Sequence, residues 1–130
     1  MNAEPSLNEV NDFLKVTRNI LNSDDHNFSI QTTRYEENPL DPFTTQNTLL
    51  ALGFDDDDVI ESLITLTAKD FSEKVPDFKR PGTPDFWVFE KIIDGRSIYV
   101  KFKIRDEKDK IIFCMSFHFA RQPFTKKPYA

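Results

Sequence analysis

Asp85-Phe-Trp-Val-Phe-Glu-Lys-Ile-Ile-Asp94-Gly95-Arg-Ser-Ile-Tyr-Val-Lys-Phe-Lys-Ile-Arg-Asp106-Glu-Lys-Asp109-Lys-Ile-Ile-Phe-Cys-Met-Ser-Phe-His-Phe-Ala120 spells three strands separated by two turns. In the middle run Ile98, Val100, Phe102 and Ile104 alternate with Ser97, Tyr99, Lys101, Lys103 and Arg105. In the last run Ile111, Phe113, Met115, Phe117 and Phe119 alternate with Ile112, Cys114, Ser116 and His118. Such a period of two describes strands with one buried and one wet face. Asp94-Gly95 between β-rich runs is the dipeptide of a type I′ hairpin turn.

With Asp106 to Asp109 as a four-residue second turn, Arg105 pairs with Lys110. Tyr99 then faces Ser116, Ser97 faces His118, Ile98 faces Phe117 and Val100 faces Met115. Ile112 and Cys114 opposite Lys103 and Lys101 are the exceptions to an apolar-to-apolar match. Across the first turn Glu90 lies beside Tyr99 and Val88 beside Lys101. The polar face gathers Glu90, Tyr99, Lys101, Ser116 and His118. Trp87, Phe89, Val100, Phe102, Phe113, Met115 and Phe117 are the expected core floor.

Working outward, Ser6 and Glu9 form a capping box, and Val10, Phe13, Leu14, Thr17, Ile20 and Leu21 keep helical spacing to about Asn22. Phe28 to Arg34 alternates weakly and suits a short edge strand. Asp41-Pro42 is a helix start, with Phe43, Thr44, Asn47, Leu50 and Ala51 on the helix and Gly53 as its stop. The four acids Asp55 to Asp58 complement a helix dipole, and Val59, Ile60, Leu63 and Ile64 continue that helix. Adjacent acids at a helix start splay apart, so a metal site is not expected there. Phe71 to Asp85, with Pro76, Pro81, Gly82 and Pro84, reads as a long loop beside the polar face, bringing Lys74, Lys79 or Arg80 to it.

The 130 residues are expected to form one α+β domain, 1–130: a mostly helical half 1–84, an antiparallel three-stranded sheet over 85–120 with room for a short extra edge strand, and a tail over 121–130. The helices pack on the apolar face of the sheet. Net charge is −5, but residues 1–84 carry 7 basic and 16 acidic side chains against 10 and 6 in 85–130. A basic sheet and tail behind an acidic half point to an anionic ligand on the sheet. No apolar run approaches a membrane span and the N-terminus has no signal-peptide pattern, so no membrane contact and a cytoplasmic location are expected. The single Cys114 can form no internal disulfide.

The chemistry narrows by what each route needs. Only two His are present, and His26 sits in a distant acidic loop, so no metal and no cofactor are expected. Gly-rich phosphate loops are absent. Cys114 lies about 13 Å along the strand from His118, too far for a nucleophile and its base. Ser116 and His118 are neighbours, without an elbow motif. Metal-free RNA cleavage fits the residues better: a base for the 2′-hydroxyl, an acid for the 5′-oxygen and cations for the phosphorane. His118, Tyr99 and Lys101 are the catalytic candidates; Lys74, Lys103, Arg105, Ser116 and Arg121 are the substrate contacts. The plainer reading is a solvated sheet face with a surface His. A rival class is a non-catalytic module whose basic sheet docks a protein or anionic ligand, which the acidic first half favours.

Thr32-Thr33-Arg34, Leu49-Leu-Ala-Leu-Gly53, Val59-Ile60-x-x-Leu63, Lys69-Asp70-Phe71, Phe86-Trp87-Val88-Phe89, Asp94-Gly95-x-x-Ile98-Tyr99-Val100-Lys101 and Cys114-x-Ser116-Phe117-His118, in that order, resemble the MqsR family of mRNA interferase toxins. The resemblance runs from about Ile30 onward. It implies a RelE-like fold, ribosome-independent cleavage of mRNA, neutralisation by a cognate antitoxin and no DNA binding by the toxin alone. The family's proposed site maps onto Tyr99, onto a Lys shortly after Asp70-Phe71, and onto the residue after Ser116-Phe117. This chain has Glu73 where that first Lys is expected, with Lys74 one step late; it has His118 in place of the second Lys, and Val88 in place of a polar amide.

Overall fold

The computed structural model describes residues 4–23, 27–106 and 109–130. His26, and Glu107 and Lys108 of the second turn, lie outside the described residues. Among the described residues the order is α1 (Leu7–Leu21), β1 (Phe28–Ile30), α2 (Thr45–Leu52), α3 (Asp56–Ile64), a 3₁₀ turn (Ala68–Asp70), β2 (Phe71–Val75), β3 (Phe86–Ile93), β4 (Arg96–Asp106) and β5 (Lys110–Phe119).

The helix ends follow from local chemistry. The Ser6 hydroxyl accepts from the Glu9 amide while the Glu9 carboxylate accepts from the Ser6 amide, both at 3.1 Å, which satisfies two donors that a helix start leaves open. Val10, Leu14, Thr17 and Ile20 then form the buried stripe of α1. Phe13, on the same side, stacks on Trp87 at 4.0 Å between ring centres. The acids at 55–58 also cap: the Asp58 amide donates to Asp55 and the Asp55 amide to Asp58, each at 3.0 Å.

The sheet departs from the three-stranded antiparallel expectation. It has five strands in the order β1-β5-β4-β3-β2, and it is mixed because β1 runs parallel to β5. The extra strand at the far edge is β2, where the sequence reads as loop. Phe71 to Val75 pairs antiparallel with β3, with a bulge between Phe71 and Glu73. That bulge breaks the alternation over five residues, so no period of two could show itself. Phe71 is wholly buried in the core, which gives the strand its anchor.

The hairpin of β3 and β4 keeps its expected register, with Glu90 opposite Tyr99 and Val88 opposite Lys101. Asp94 and Gly95 have φ of 52° and 74°, the left-handed pair that a type I′ turn requires. The β4–β5 register differs. Next to the turn, Arg105 faces Ile111 rather than Lys110, and Ile104 faces Ile112. A bulge between Lys101 and Phe102, opposite Cys114 to Ser116, then adds a second step. Beyond it Tyr99 faces His118, Lys101 faces Ser116 and Val100 faces Phe117.

These two steps explain the mismatch that the sequence shows at Ile112 and Cys114. Both turn into the core, with Phe117 and Phe119 on the same side beyond the bulge. Phe113 moves to the opposite face, against Phe86, and Met115 is only partly buried; neither belongs to the core floor. Burying two more apolar side chains outweighs one irregular step in the ladder.

Helix α2 also differs from expectation. It begins at Thr45 with Thr44 as N-cap, and its inner side is Thr45, Thr48 and Leu49, while Leu50 is 71% exposed. The short β1 leaves the outer edge of β5 uncovered beyond Cys114. The Thr45 and Thr48 hydroxyls fill that role by accepting from the amides of Phe117 (3.2 Å) and Phe119 (3.0 Å). The helix is placed by hydrogen bonds to a strand edge, so an apolar stripe gave the wrong side.

Candidate functional site

The cavity of interest, about 430 Å³, opens on the sheet face opposite the helices. Its floor is the pair Tyr99–His118 and the next pair Lys101–Ser116, set by the β4–β5 register beyond the bulge. Arg34 stands at the β5 side, Ser72 and Glu73 stand at the β2 side, and residues 120–126 complete the wall.

His118 and Tyr99 stack with ring centres 5.2 Å apart and planes 13° from parallel. The His118 Nδ1 lies 2.9 Å from the Phe119 carbonyl oxygen. A carbonyl only accepts, so this contact requires the hydrogen on Nδ1, and in the neutral ring that leaves Nε2 with its lone pair. Burial lowers the His118 pKa from its ordinary value, and Arg34, Arg121 and Lys101 lower it further against the Phe119 contact. The ring is therefore neutral near pH 7 and suited to accept a proton.

Lys101 is lowered from its ordinary range by burial and by the nearby Arg34, with Asp77 opposing. Tyr99 is raised by burial and by Glu73, so its hydroxyl stays protonated and available as a donor. Arg34 donates from Nη2 to the Met115 carbonyl at 3.0 Å and to the Ser116 hydroxyl. It therefore reads the bulge directly, since Met115 is the extra residue there. Arg121 is held by Asp41, at 2.6 Å, and the guanidinium keeps the Asp41 carboxyl below its usual range.

Of the residues expected at the site, Tyr99, Lys101, Ser116, His118 and Arg121 line this cavity. Three do not. Lys103 is 1% exposed in its side chain, and its ammonium donates to Asp77 (2.6 Å), Thr83 (3.0 Å) and the Pro84 carbonyl (3.3 Å). The 76–84 loop thus covers the turn-ward end of the polar face and takes Lys103 out of reach of a ligand. Arg105 lies at the same end, its guanidinium 3.7 Å from the centre of the Phe113 ring. Lys74 turns to the helix side of β2, over the Trp87 ring at 5.1 Å and 4.0 Å from Asp85. The strand alternation that sends Lys74 away brings Glu73 to the cavity. Glu90 is engaged elsewhere, accepting from Ser97 at 2.6 Å and Lys127 at 2.8 Å. Lys79 and Arg80 are exposed on the loop and are not part of the cavity wall.

Sequence reasoning left Arg34, Glu73, Phe124 and Lys126 out of the site. Only Arg34 carried a signal, through the Thr32-Thr33-Arg34 motif. Glu73 was hidden by a strand read as loop, and the tail has no periodicity to read.

Among the described residues no group of three or more His, Cys, Asp or Glu could hold a metal ion, and no helix is long and apolar enough to cross a membrane. The cavity combines a neutral imidazole, a phenol, two amines and two guanidinium groups around a single carboxylate. That set can move protons and neutralise an anion.

No curated protein and no solved structure matches the chain. A protein family does: the one described as motility quorum-sensing regulator, toxin of MqsA, matches residues 29–119, from within β1 to the last residue of β5. The floor of the cavity lies within that span, whereas α1 and the tail lie outside it. The chain belongs to the MqsR toxin family, the toxin side of a toxin–antitoxin system with an antitoxin as its partner.

Proposed function

We propose that this toxin is an endoribonuclease that cleaves single-stranded mRNA by metal-independent acid–base chemistry on a RelE-like scaffold, acts in the cytoplasm, and is neutralised by its antitoxin. The observation that carries the reading is the His118 ring, with Nδ1 2.9 Å from the Phe119 carbonyl oxygen, stacked on Tyr99 and diagonally across the ladder from Lys101. Nε2 of His118 takes the proton of the RNA 2′-hydroxyl. The 2′-oxygen attacks phosphorus, the bond from phosphorus to the 5′-oxygen breaks, and that oxygen receives a proton. Lys101 suits this second transfer better than Tyr99, because its pKa is shifted down and that of Tyr99 up. Arg34 and Arg121 face the negative charge of the phosphorane. The products are a 2′,3′-cyclic phosphate and a 5′-hydroxyl. DNA lacks the attacking hydroxyl and is not a substrate. A two-metal route needs several carboxylates, and the cavity offers Glu73 alone.

The test is end-group mapping of RNA treated with the purified protein. Cyclic phosphate ends, formed equally in EDTA, support the scheme; loss of cleavage in EDTA sinks the metal-free route. Intact RNA under all conditions, with no growth defect on expression, favours the rival module that binds through the basic face without cleaving.

A further inference from the structure

The segment after β5 has no helix or strand, yet it is tied down along its length. The Ala120 amide donates to the Ser97 carbonyl at 2.9 Å and continues the β4–β5 ladder. Arg121 pairs with Asp41 at 2.6 Å, and Lys126 pairs with Glu4 at 3.1 Å. Lys127 pairs with Glu90 at 2.8 Å, and the Tyr129 hydroxyl donates to the Pro5 carbonyl. The ring of Tyr129 packs against the core, on Phe71. Phe124 differs: it stays half-buried in the cavity wall, its ring 5.9 Å from that of Tyr99 and 26° from parallel.

His118, Tyr99 and Phe124 therefore make a run of near-parallel rings on the cavity surface. Each nucleobase has an aromatic face that such a platform can take, whatever its sequence. The cavity falls within the ~300–1,000 Å³ typical of small-molecule sites, room for one nucleotide and not for a duplex. Arg121 and Lys126 flank Phe124 along the chain and line the same space, so a charged backbone meets cations on either side of the ring. Because the Ala120 amide, Lys127 and Tyr129 hold the segment at both ends before a ligand arrives, little ordering cost remains at binding.

We infer that residues 121–126 form a nucleobase subsite, in which a base adjoining the scissile phosphate of single-stranded RNA stacks on Phe124 while Arg121 and Lys126 meet the flanking phosphates. This rests on the nuclease reading for the identity of the strand. The subsite lies beyond the residues matched by the family, which end at 119, so it is a feature of this chain's tail.

The experiment uses the full chain and a pool of randomised 2′-O-methyl RNA octamers, which bind but lack the attacking hydroxyl. The wild type binds the pool. Phe124→Leu, which keeps apolar bulk without a ring, weakens binding about 5- to 150-fold, the range of one base–aromatic stack. Phe124→Trp binds within about twofold of wild type, and thermal unfolding of both variants matches wild type. Octamer binding by Phe124→Leu equal to wild type overturns the subsite, as does absence of binding by the wild type. Cleavage of unmodified RNA is read in parallel. Ring-dependent binding without cleavage removes the nuclease reading and keeps the subsite; equal cleavage and binding by wild type and Phe124→Leu removes the subsite and keeps the nuclease.

Discussion

Lys103 of β4 and Asp77 of the 76–84 loop form an ion pair at 2.6 Å with both side chains almost fully covered, 1% and 4% exposed. The pair lies on the sheet face that carries the cavity, one strand alternation beyond Lys101. It fixes the loop over Phe86 and Phe113 and closes that end of the face. Removing one partner leaves the other charge buried. Lys103→Ala should therefore cost about 3 kcal/mol, the lower end for a broken buried pair because the loop can lift and hydrate Asp77. Equilibrium denaturation checks it; a loss under about 1 kcal/mol would show that the pair is only a surface contact.

The same pair has an acid signature. The Lys103 ammonium, with the Arg80 and Lys79 amides, holds the Asp77 carboxyl below its ordinary value of 3.8. A depressed carboxyl contributes stability that is complete above its unfolded value and fades as pH falls through the folded one. Wild type should thus lose stability more steeply than Asp77→Asn below about pH 3.8. Parallel urea titrations at several pH values would read this, and parallel slopes would count against it.

His118→Ala should lower cleavage by ~10²–10⁴-fold, the usual worth of one proton-transfer group. Lys101→Ala should fall in the same range if it supplies the second proton. Thermal unfolding of the His118 variant should stay near wild type, because the ring lies on the cavity face and outside the core cluster. A folded His118→Ala protein that cleaves at the wild-type rate excludes the imidazole from the reaction.

The rate should follow a bell in pH. His118 is lowered from 6.5, so its base form appears, and the rate climbs, at a pH below that value. Lys101 is lowered from 10.5, so its acid form, and the rate, decline at a pH below that value. In Arg34→Gln the acidic limb should move up, toward 6.5, since one of the cations that disfavours imidazolium is gone. Single-turnover rates across pH decide; an unmoved limb would mean Arg34 does not act on the imidazole.

Thr45→Val and Thr48→Val should each cost about 1–3 kcal/mol, because each leaves a buried β5 amide without its acceptor. The shapes are nearly conserved, so packing changes little. Hydrogen exchange at the Phe117 and Phe119 amides reports the effect residue by residue. Unchanged protection in the valine variants would show that water, not the hydroxyl, completes that edge.

The sequence by itself determined the β3–β4 hairpin, the cap of α1, the acidic start of α3 and the polar character of the sheet face, because each follows from residues near one another in the chain. Asp94-Gly95 sets its own φ angles, and Ser6 needs only Glu9. The cluster of Tyr99, Lys101, Ser116 and His118 was also legible, for a reason that lies in parity. The β4–β5 ladder is displaced from the expected one by one residue near the turn and by two beyond the bulge. A displacement of two returns every side chain to its expected face, while a displacement of one exchanges the faces, as at Ile112, Phe113 and Cys114. Only the tertiary structure decided where the bulge falls, since that depends on how much apolar surface the helices can cover. It also decided that Lys103 closes the loop, that Glu73 rather than Lys74 reaches the cavity, and that Phe124 completes it. Those placements rest on contacts between distant segments, such as Lys103 with Asp77, whose energies no local pattern encodes.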